Sequence, residues 1–140
     1  MSERALRRAV AVLALLGAGV AGYLTITWAA DIAPVCTTGG CAKVQSSEYA
    51  ELFGVPVAAL GLGAYLVILA TALRAGPGLA AIGAALSLAG VAFSAYLFVI
   101  QAFVIEAFCL WCLISDAVML LLVVAAVLRL RAAGQEAEPA

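Results

Sequence analysis

The sequence contains no histidine. That absence removes the histidine general base, the Ser-His and Cys-His nucleophile pairs, histidine-ligated haem and every zinc site that needs an imidazole. Charge is scarce as well. Asp, Glu, Lys and Arg make up 11% of the 140 residues, against about a quarter in an ordinary soluble domain. With a net charge of −1 and a single lysine, Lys43, the chain lacks the basic surface that a phosphate backbone requires, which excludes nucleic acid as its partner. Apolar residues fill the space: 67% of the chain is hydrophobic and the mean hydropathy is +1.21. The length suits one domain and the composition is that of a membrane protein. Cysteine occurs four times, as Cys36, Cys41, Cys109 and Cys112, and is the redox-active or metal-binding side chain that remains in quantity.

The apolar residues fall into four runs. Arg4, Arg7 and Arg8 precede the first, which covers about residues 9–30. At about 20 residues without a polar break it is too long for the core of a signal peptide, about 7–15 residues, and it suits a membrane helix. Gly17, Gly19 and Gly22 are its candidate close-packing positions. Residues 31–53 form the one extended polar segment, whose stretch 42–52 predicts a short helix on the membrane surface. Gly54-Val55-Pro56 opens a second helix over about 54–73, with proline in the first turn where its missing N–H costs nothing. Arg74-Ala75-Gly76-Pro77-Gly78 is a tight connection, so a third helix, about 79–100, should run antiparallel beside the second. Residues 101–107 read as a weakly polar link, a fourth helix follows over about 108–130, and the acidic tail 132–140 reads as disordered. The expected fold is therefore an all-α integral membrane protein. Residues 1–131 make one domain, a four-transmembrane-helix bundle with a cysteine-bearing first loop.

Arginine sets the orientation. Four crossings put Arg4, Arg7, Arg8, Arg74, Arg129 and Arg131 on one side and only Lys43 on the other. By the positive-inside rule the arginine side, with both termini, is cytoplasmic. The loop cysteines and the mouth of the fourth helix then share the extracytoplasmic face, where disulfides form and persist.

Cys109-Leu110-Trp111-Cys112 places two thiols one turn apart at a helix start, where unpaired N–H groups and the positive dipole end favour thiolate. Four cysteines allow three pairings. Cys36 with Cys41 and Cys109 with Cys112 is the local set, and a relay needs one cysteine of each pair to meet the other pair. Cys109 lies nearer the loop and Cys112 nearer the lipid and anything dissolved in it. Two static disulfides, a Cys₄ zinc site and free structural cysteines are the alternatives. The first is weakened because a ring closed within one turn constrains little chain. The second is weakened because thiolate zinc pairs usually sit in soluble ribbons. Asp116, one turn deeper than Cys112, is a carboxylate in a membrane span. It is either a functional group, donating or relaying a proton or tuning Cys112, or a hydrogen-bond partner for Ser115 or Ser94. Ser46 and Ser47 could donate hydrogen bonds from the loop. Trp28, Tyr49 and Trp111 read as interfacial anchors, with Trp111 a further candidate for lining a cavity.

Several of these features occur together in one family. They are the cysteine pair in the first loop, a serine (Ser47) six residues after the second cysteine, and Gly54-Val55-Pro56 followed by Leu60-Gly61-Leu62-Gly63-Ala64-Tyr65. The closing Cys109-Leu110-Trp111-Cys112-Leu113 completes the set. Over nearly its whole length, about residues 9–130, the chain resembles the bacterial branch of the vitamin K epoxide reductase family, in the form without a fused thioredoxin-like domain. The resemblance implies a membrane quinone reductase that generates protein disulfides outside the cytoplasm, with a quinone of menaquinone or ubiquinone type as acceptor and no metal. The electron donor it implies is a separate thioredoxin-like protein, and the setting is the cytoplasmic membrane. Carried over by position, Cys36 exchanges with that partner, Cys41 relays to Cys109, and Cys112 faces the quinone. Ser47, Asp116, Phe53 and Trp111 complete the quinone site. Two departures stand out. Asp116 occupies the place of a tyrosine of animal members, and Phe53 stands nearest the place of their asparagine, so epoxide reduction is not expected. A Dsb-type quinone reductase is the rival within the same chemistry, but its Cys-x-x-Cys pair comes first. A non-enzymatic membrane subunit with structural disulfides is the rival from another class.

Overall fold

The computed structural model describes residues 2–32, 34, 35, 40, 43, 44, 46–48 and 51–137. Among them, four helices pack in a ring and a two-residue-per-strand hairpin closes one end.

Helix α1 spans Glu3–Ala29, starting before the expected boundary. Ser2 caps it, its hydroxyl accepting the Ala5 N–H at 3.2 Å, and Glu3 sits at the positive end of the dipole. The arginines therefore lie on the helix and not ahead of it. Leu6, Val10, Ala14, Gly17, Ala21 and Leu24 form the buried stripe, at the three-to-four spacing that keeps one face inward.

Within the expected surface helix 42–52, Lys43 and Val44 are helical, but its last two residues and the expected opening of the next helix form a hairpin. Strand β1 is Glu51–Leu52 and β2 is Val55–Pro56, paired antiparallel. Phe53 and Gly54 turn the chain with φ of 54° and 80°, both in the left-handed region that a two-residue hairpin of the I′ kind requires. Glycine accepts that conformation readily; phenylalanine rarely does. Pro56 then stands just outside helix α2, Val57–Ala72, as its N-cap. The hairpin shortens α2 to 16 residues, a rise of about 24 Å against a hydrocarbon core of about 30 Å. Three helical segments, Glu3–Ala29, Pro77–Ile105 and Leu110–Gln135, are long and apolar enough to cross a membrane, and α2 is a shorter apolar helix beside them.

The connection to α3, Pro77–Val99, is tight as expected: Gly76, at φ 142°, precedes Pro77 in the first position. At Ile100 the helix widens into a π-helical stretch, Ile100–Ile105, that Glu106 ends in the left-handed conformation. Most of the expected link is thus helical. Helix α4, Leu110–Ala137, carries most of the expected disordered tail as well. Alanine, glutamine and glutamate are good helix formers, and within the tail proline enters only at Pro139, outside the described residues.

Each helix packs chiefly on two neighbours, in the order α1, α2, α3, α4 and back to α1. Tyr65, Ile68, Leu122, Val10 and Ala126 meet in the core. Close approach between the helices depends on glycine at three described positions: a Cβ on Gly17 would fall on the Tyr65 ring, one on Gly83 on the Thr71 hydroxyl, and one on Gly90 on the Met119 side chain. Outward faces stay apolar, with Leu15, Leu16, Leu120, Leu121 and Val124 exposed, which is the surface a hydrocarbon solvent requires. At one end of the ring the buried Arg129 guanidinium pairs with Glu3 at 3.2 Å and donates to the Arg74 carbonyl at 2.9 Å. Glu3 also pairs with Arg7 at 3.3 Å. The start of α1, the α2–α3 connection and the end of α4 therefore converge, as the arginine pattern requires.

Candidate functional site

The opposite end holds Cys109 and Cys112. Cys109 immediately precedes α4, and its carbonyl accepts the first helical bond, from Leu113 N–H at 3.0 Å. Its Sγ accepts the N–H of Cys112 at 3.3 Å. Sulfur thus takes the place that a serine or aspartate oxygen usually holds at a helix start, satisfying one of the donors that the first turn leaves open. The Cys109 N–H in turn donates to the side-chain oxygen of Gln101 at 2.9 Å, while the Gln101 backbone carbonyl accepts from Ala107. Gln101 is buried and sits in the widened π-helical stretch. One glutamine so fixes both the return of the chain and the approach of Cys109. Sequence reasoning placed Gln101 in a link and missed this; a polar amide at the end of an apolar run was the available signal.

The two cysteines face different surroundings. Cys109 is fully buried and packs against Val44 of the first loop. Cys112 is half-buried and lines a cavity of about 300 Å³ between the helices, within the range of small-molecule sites. The cavity walls are mostly apolar: Leu24 of α1, Val57, Leu60 and Gly61 of α2, Leu86 and Phe93 of α3, and Met119 of α4 are among them. A few polar groups interrupt these walls. Tyr65 Oη donates to Ser115, whose carbonyl lies at 3.0 Å and hydroxyl at 2.8 Å. Ser94 and Asp116 both line the cavity. Asp116 Oδ2 is buried and has no hydrogen-bond partner. Asp116 thus presents an unmet oxygen at the cavity wall, on the wall that also carries Ser94 and Ser115.

Of the sequence-predicted residues, the structure brings Cys112, Asp116 and Ser47 to one cavity. Ser47 reaches it from the loop, with its hydroxyl donating to the Val44 carbonyl at 2.7 Å. Ser46 instead turns away, exposed, toward the Lys43 carbonyl. Phe53 does not reach the cavity: it is 98% exposed at the hairpin tip. Trp111 does not line it either. Its ring packs on Tyr23 at a centroid distance of 4.9 Å, and Nε1 donates to the Val35 carbonyl. Trp28 donates to Glu51 at 3.2 Å, tying the end of α1 to the hairpin. Cys36, Cys41 and Tyr49 lie outside the described residues. Gly40, the residue before Cys41, is described and buried, and a Cβ there would fall on the backbone of Phe108. The loop therefore touches the lead-in to α4.

The arrangement joins a thiol pair at a helix mouth, an apolar cavity with sparse polar groups, and a loop docked beside both. Comparison with known families agrees with it. The model of the vitamin K epoxide reductase family matches residues 8–127, and the chain belongs to that family. Membership implies a membrane oxidoreductase of the quinone-linked thiol–disulfide kind.

Proposed function

We propose that this member of the vitamin K epoxide reductase family oxidises a thioredoxin-like dithiol partner and passes the two electrons to a quinone, so generating protein disulfides outside the cytoplasm. It does so as a four-helix bundle in the cytoplasmic membrane, with both termini cytoplasmic and both cysteine pairs on the outer side. The partner dithiol reduces a Cys36–Cys41 disulfide, Cys41 relays to Cys109, and the Cys109/Cys112 pair delivers the electrons at the cavity.

One observation carries the reading. Within a single turn of α4, Cys109 packs on the loop while Cys112 lines an apolar cavity. A thiol pair with one member toward a loop donor and the other toward an apolar pocket can accept electrons on one side and release them on the other. A quinone fits the cavity chemically: the walls suit an apolar ring, and the unmet Asp116 oxygen suits a group that exchanges hydrogen bonds. When bound, it supplies the two-electron acceptor chemistry that thiols need.

The chain's own residues do the rest. Two thiols becoming a disulfide release two electrons and two protons, and reduction of a quinone takes up both. Asp116, Ser94 and the Tyr65–Ser115 pair are the groups that can hold or move a proton at the cavity. Ser47 orients the ligand from the loop side and Gln101 fixes the approach of Cys109. Leu24, Leu86 and Phe93 exclude water. The test is quinone reduction by the purified protein in nanodiscs, driven by a reduced thioredoxin-like protein. Cys112→Ala should abolish it, and an unchanged rate in that variant would overturn the reading.

A further inference from the structure

Tyr23 of α1 and Trp111 of α4 meet around one residue of the first loop. The N–H of Val35 donates to Tyr23 Oη at 2.9 Å, and the Val35 carbonyl accepts from Trp111 Nε1. The two rings pack 4.9 Å apart at 51°. Val35 itself is 76% exposed. Burial of its side chain therefore does not hold it; its main chain does, at both polar groups, from two helices. The next residue in the sequence is Cys36. Gly40 makes a second dock on Phe108, and the residue after it is Cys41. So the residue preceding each loop cysteine is seated on the segment that leads into or begins α4, on either side of Cys109.

We propose that Tyr23 and Trp111 are positioning residues that hold the loop through the main chain of Val35 and so set the rate of exchange between the two cysteine pairs. The proposal rests on the relay described above. In that exchange the Cys41 thiolate attacks Cys109 of a Cys109–Cys112 disulfide. The Cys41–Cys109 bond forms as the Cys109–Cys112 bond breaks, and Cys112 leaves as thiolate. The Cys36 thiolate then attacks Cys41, closing Cys36–Cys41 and releasing Cys109 as thiolate. The loop pair is oxidised by two electrons and the helix pair reduced by two. Neither Tyr23 nor Trp111 touches a reacting sulfur in this scheme; they fix how often Cys41 and Cys109 meet.

The exchange can be read without quinone. In a Cys36→Ala/Cys112→Ala protein only Cys41 and Cys109 remain, and their bridging under diamide can be timed by alkylation and non-reducing electrophoresis. Tyr23→Phe removes one hydroxyl and keeps the ring against Trp111; Trp111→Phe removes one N–H and keeps an aromatic face. Each should slow bridging about threefold to tenfold, the population change that goes with one neutral hydrogen bond. Tyr23→Phe should leave dithiothreitol-driven quinone reduction by a Cys36→Ala/Cys41→Ala protein unchanged, because that reaction bypasses the loop. Unchanged bridging in both variants would overturn the proposal. So would an equal slowing of the loop-free reaction, which would mean that Tyr23 acts on the cavity. If no form of the protein reduced quinone, the functional reading would fall, and the bridging rates alone would still decide on the clamp.

Discussion

Gly17 offers the sharpest test of the packing. Gly→Ala inside a helix ordinarily stabilises by about 0.5–1 kcal/mol, because alanine loses less backbone freedom. At Gly17 the added methyl would fall on the ring carbons of Tyr65. A ring cannot bend out of the way like the end of a flexible side chain. Nor can it swing aside cheaply, since Tyr65 is 1% exposed and its hydroxyl bonds Ser115 at 2.8 Å. Overpacking costs about 1–3 kcal/mol, and losing the Tyr65–Ser115 bond adds about 1 kcal/mol. The clash should therefore win, with a net destabilisation of about 1–3 kcal/mol once the helix preference is set against it. Gly19 is the control, two residues on in the same helix with nothing within 4 Å of a new Cβ. Reversible unfolding in mixed micelles by titration with sodium dodecyl sulfate measures both. Gly19→Ala should be neutral or stabilising and Gly17→Ala destabilising, and the Gly17→Ala cost should shrink in a Tyr65→Leu background, where the ring is gone. If Gly17→Ala were as mild as Gly19→Ala, or cost the same with Leu at 65, the α1–α2 contact described above would be wrong.

Three further predictions use other parts of the molecule. Glu3 holds two arginines, so Glu3→Gln should destabilise by about 3–5 kcal/mol, as expected when a buried pair loses one partner; Arg7→Gln, on the more exposed arm, should cost under about 1 kcal/mol in the same titration. Asp116→Asn should lower the turnover of quinone reduction at least tenfold, an effect of general acid–base size, while leaving Cys41–Cys109 bridging at the parental rate; equal turnover would assign Asp116 to packing with Ser94. Phe53→Asn places a residue that accepts positive φ at the hairpin tip, so quinone reduction should persist at the parental rate and the unfolding free energy should rise by up to about 1 kcal/mol. A large loss of activity would return Phe53 to the quinone site.

What could be read from the sequence followed from features with long-range consistency. Apolar length marked the runs, arginine placement marked which ends meet, and cysteine spacing marked the helix mouth. The misses have local causes. Ser2 caps α1, but a cap ahead of an arginine cluster reads as a polar flank. Phe53 sits at positive φ, where asparagine or glycine would have announced the turn. Gln101 looked like the end of an apolar run because the widening to a π-helix has no residue signature; its role comes from an amide eight residues from the N–H it accepts. Tyr23 was indistinguishable from any aromatic in a membrane helix until Val35 came beside it. Cavity-lining groups were partly legible: the four-residue step from Cys112 to Asp116 and the candidacy of Ser94 beside it were, whereas the convergence of Tyr65 on Ser115 was not.

The two ends of the bundle are held by different physics, and the difference fits the chemistry. At the arginine end, a buried guanidinium joins α1, α4 and the α2–α3 connection; opening it would leave a buried charge unpaired, at about 3–5 kcal/mol. At the cysteine end the loop is held by neutral hydrogen bonds at Val35 and by van der Waals contact at Gly40 and Val44. Each such bond contributes about 1 kcal/mol and breaks without stranding a charge. Opening fluctuations should therefore concentrate at the loop, the low-stability region of an otherwise latched ring. The proposed relay would use this asymmetry: the loop, which carries Cys36 for a partner and Cys41 for Cys109, is free to move while the walls around Cys112 stay closed. Amide hydrogen exchange should show it directly, with Val35 exchanging well before the Leu122 turn of α4; the reverse order would break the link between the latch and the relay.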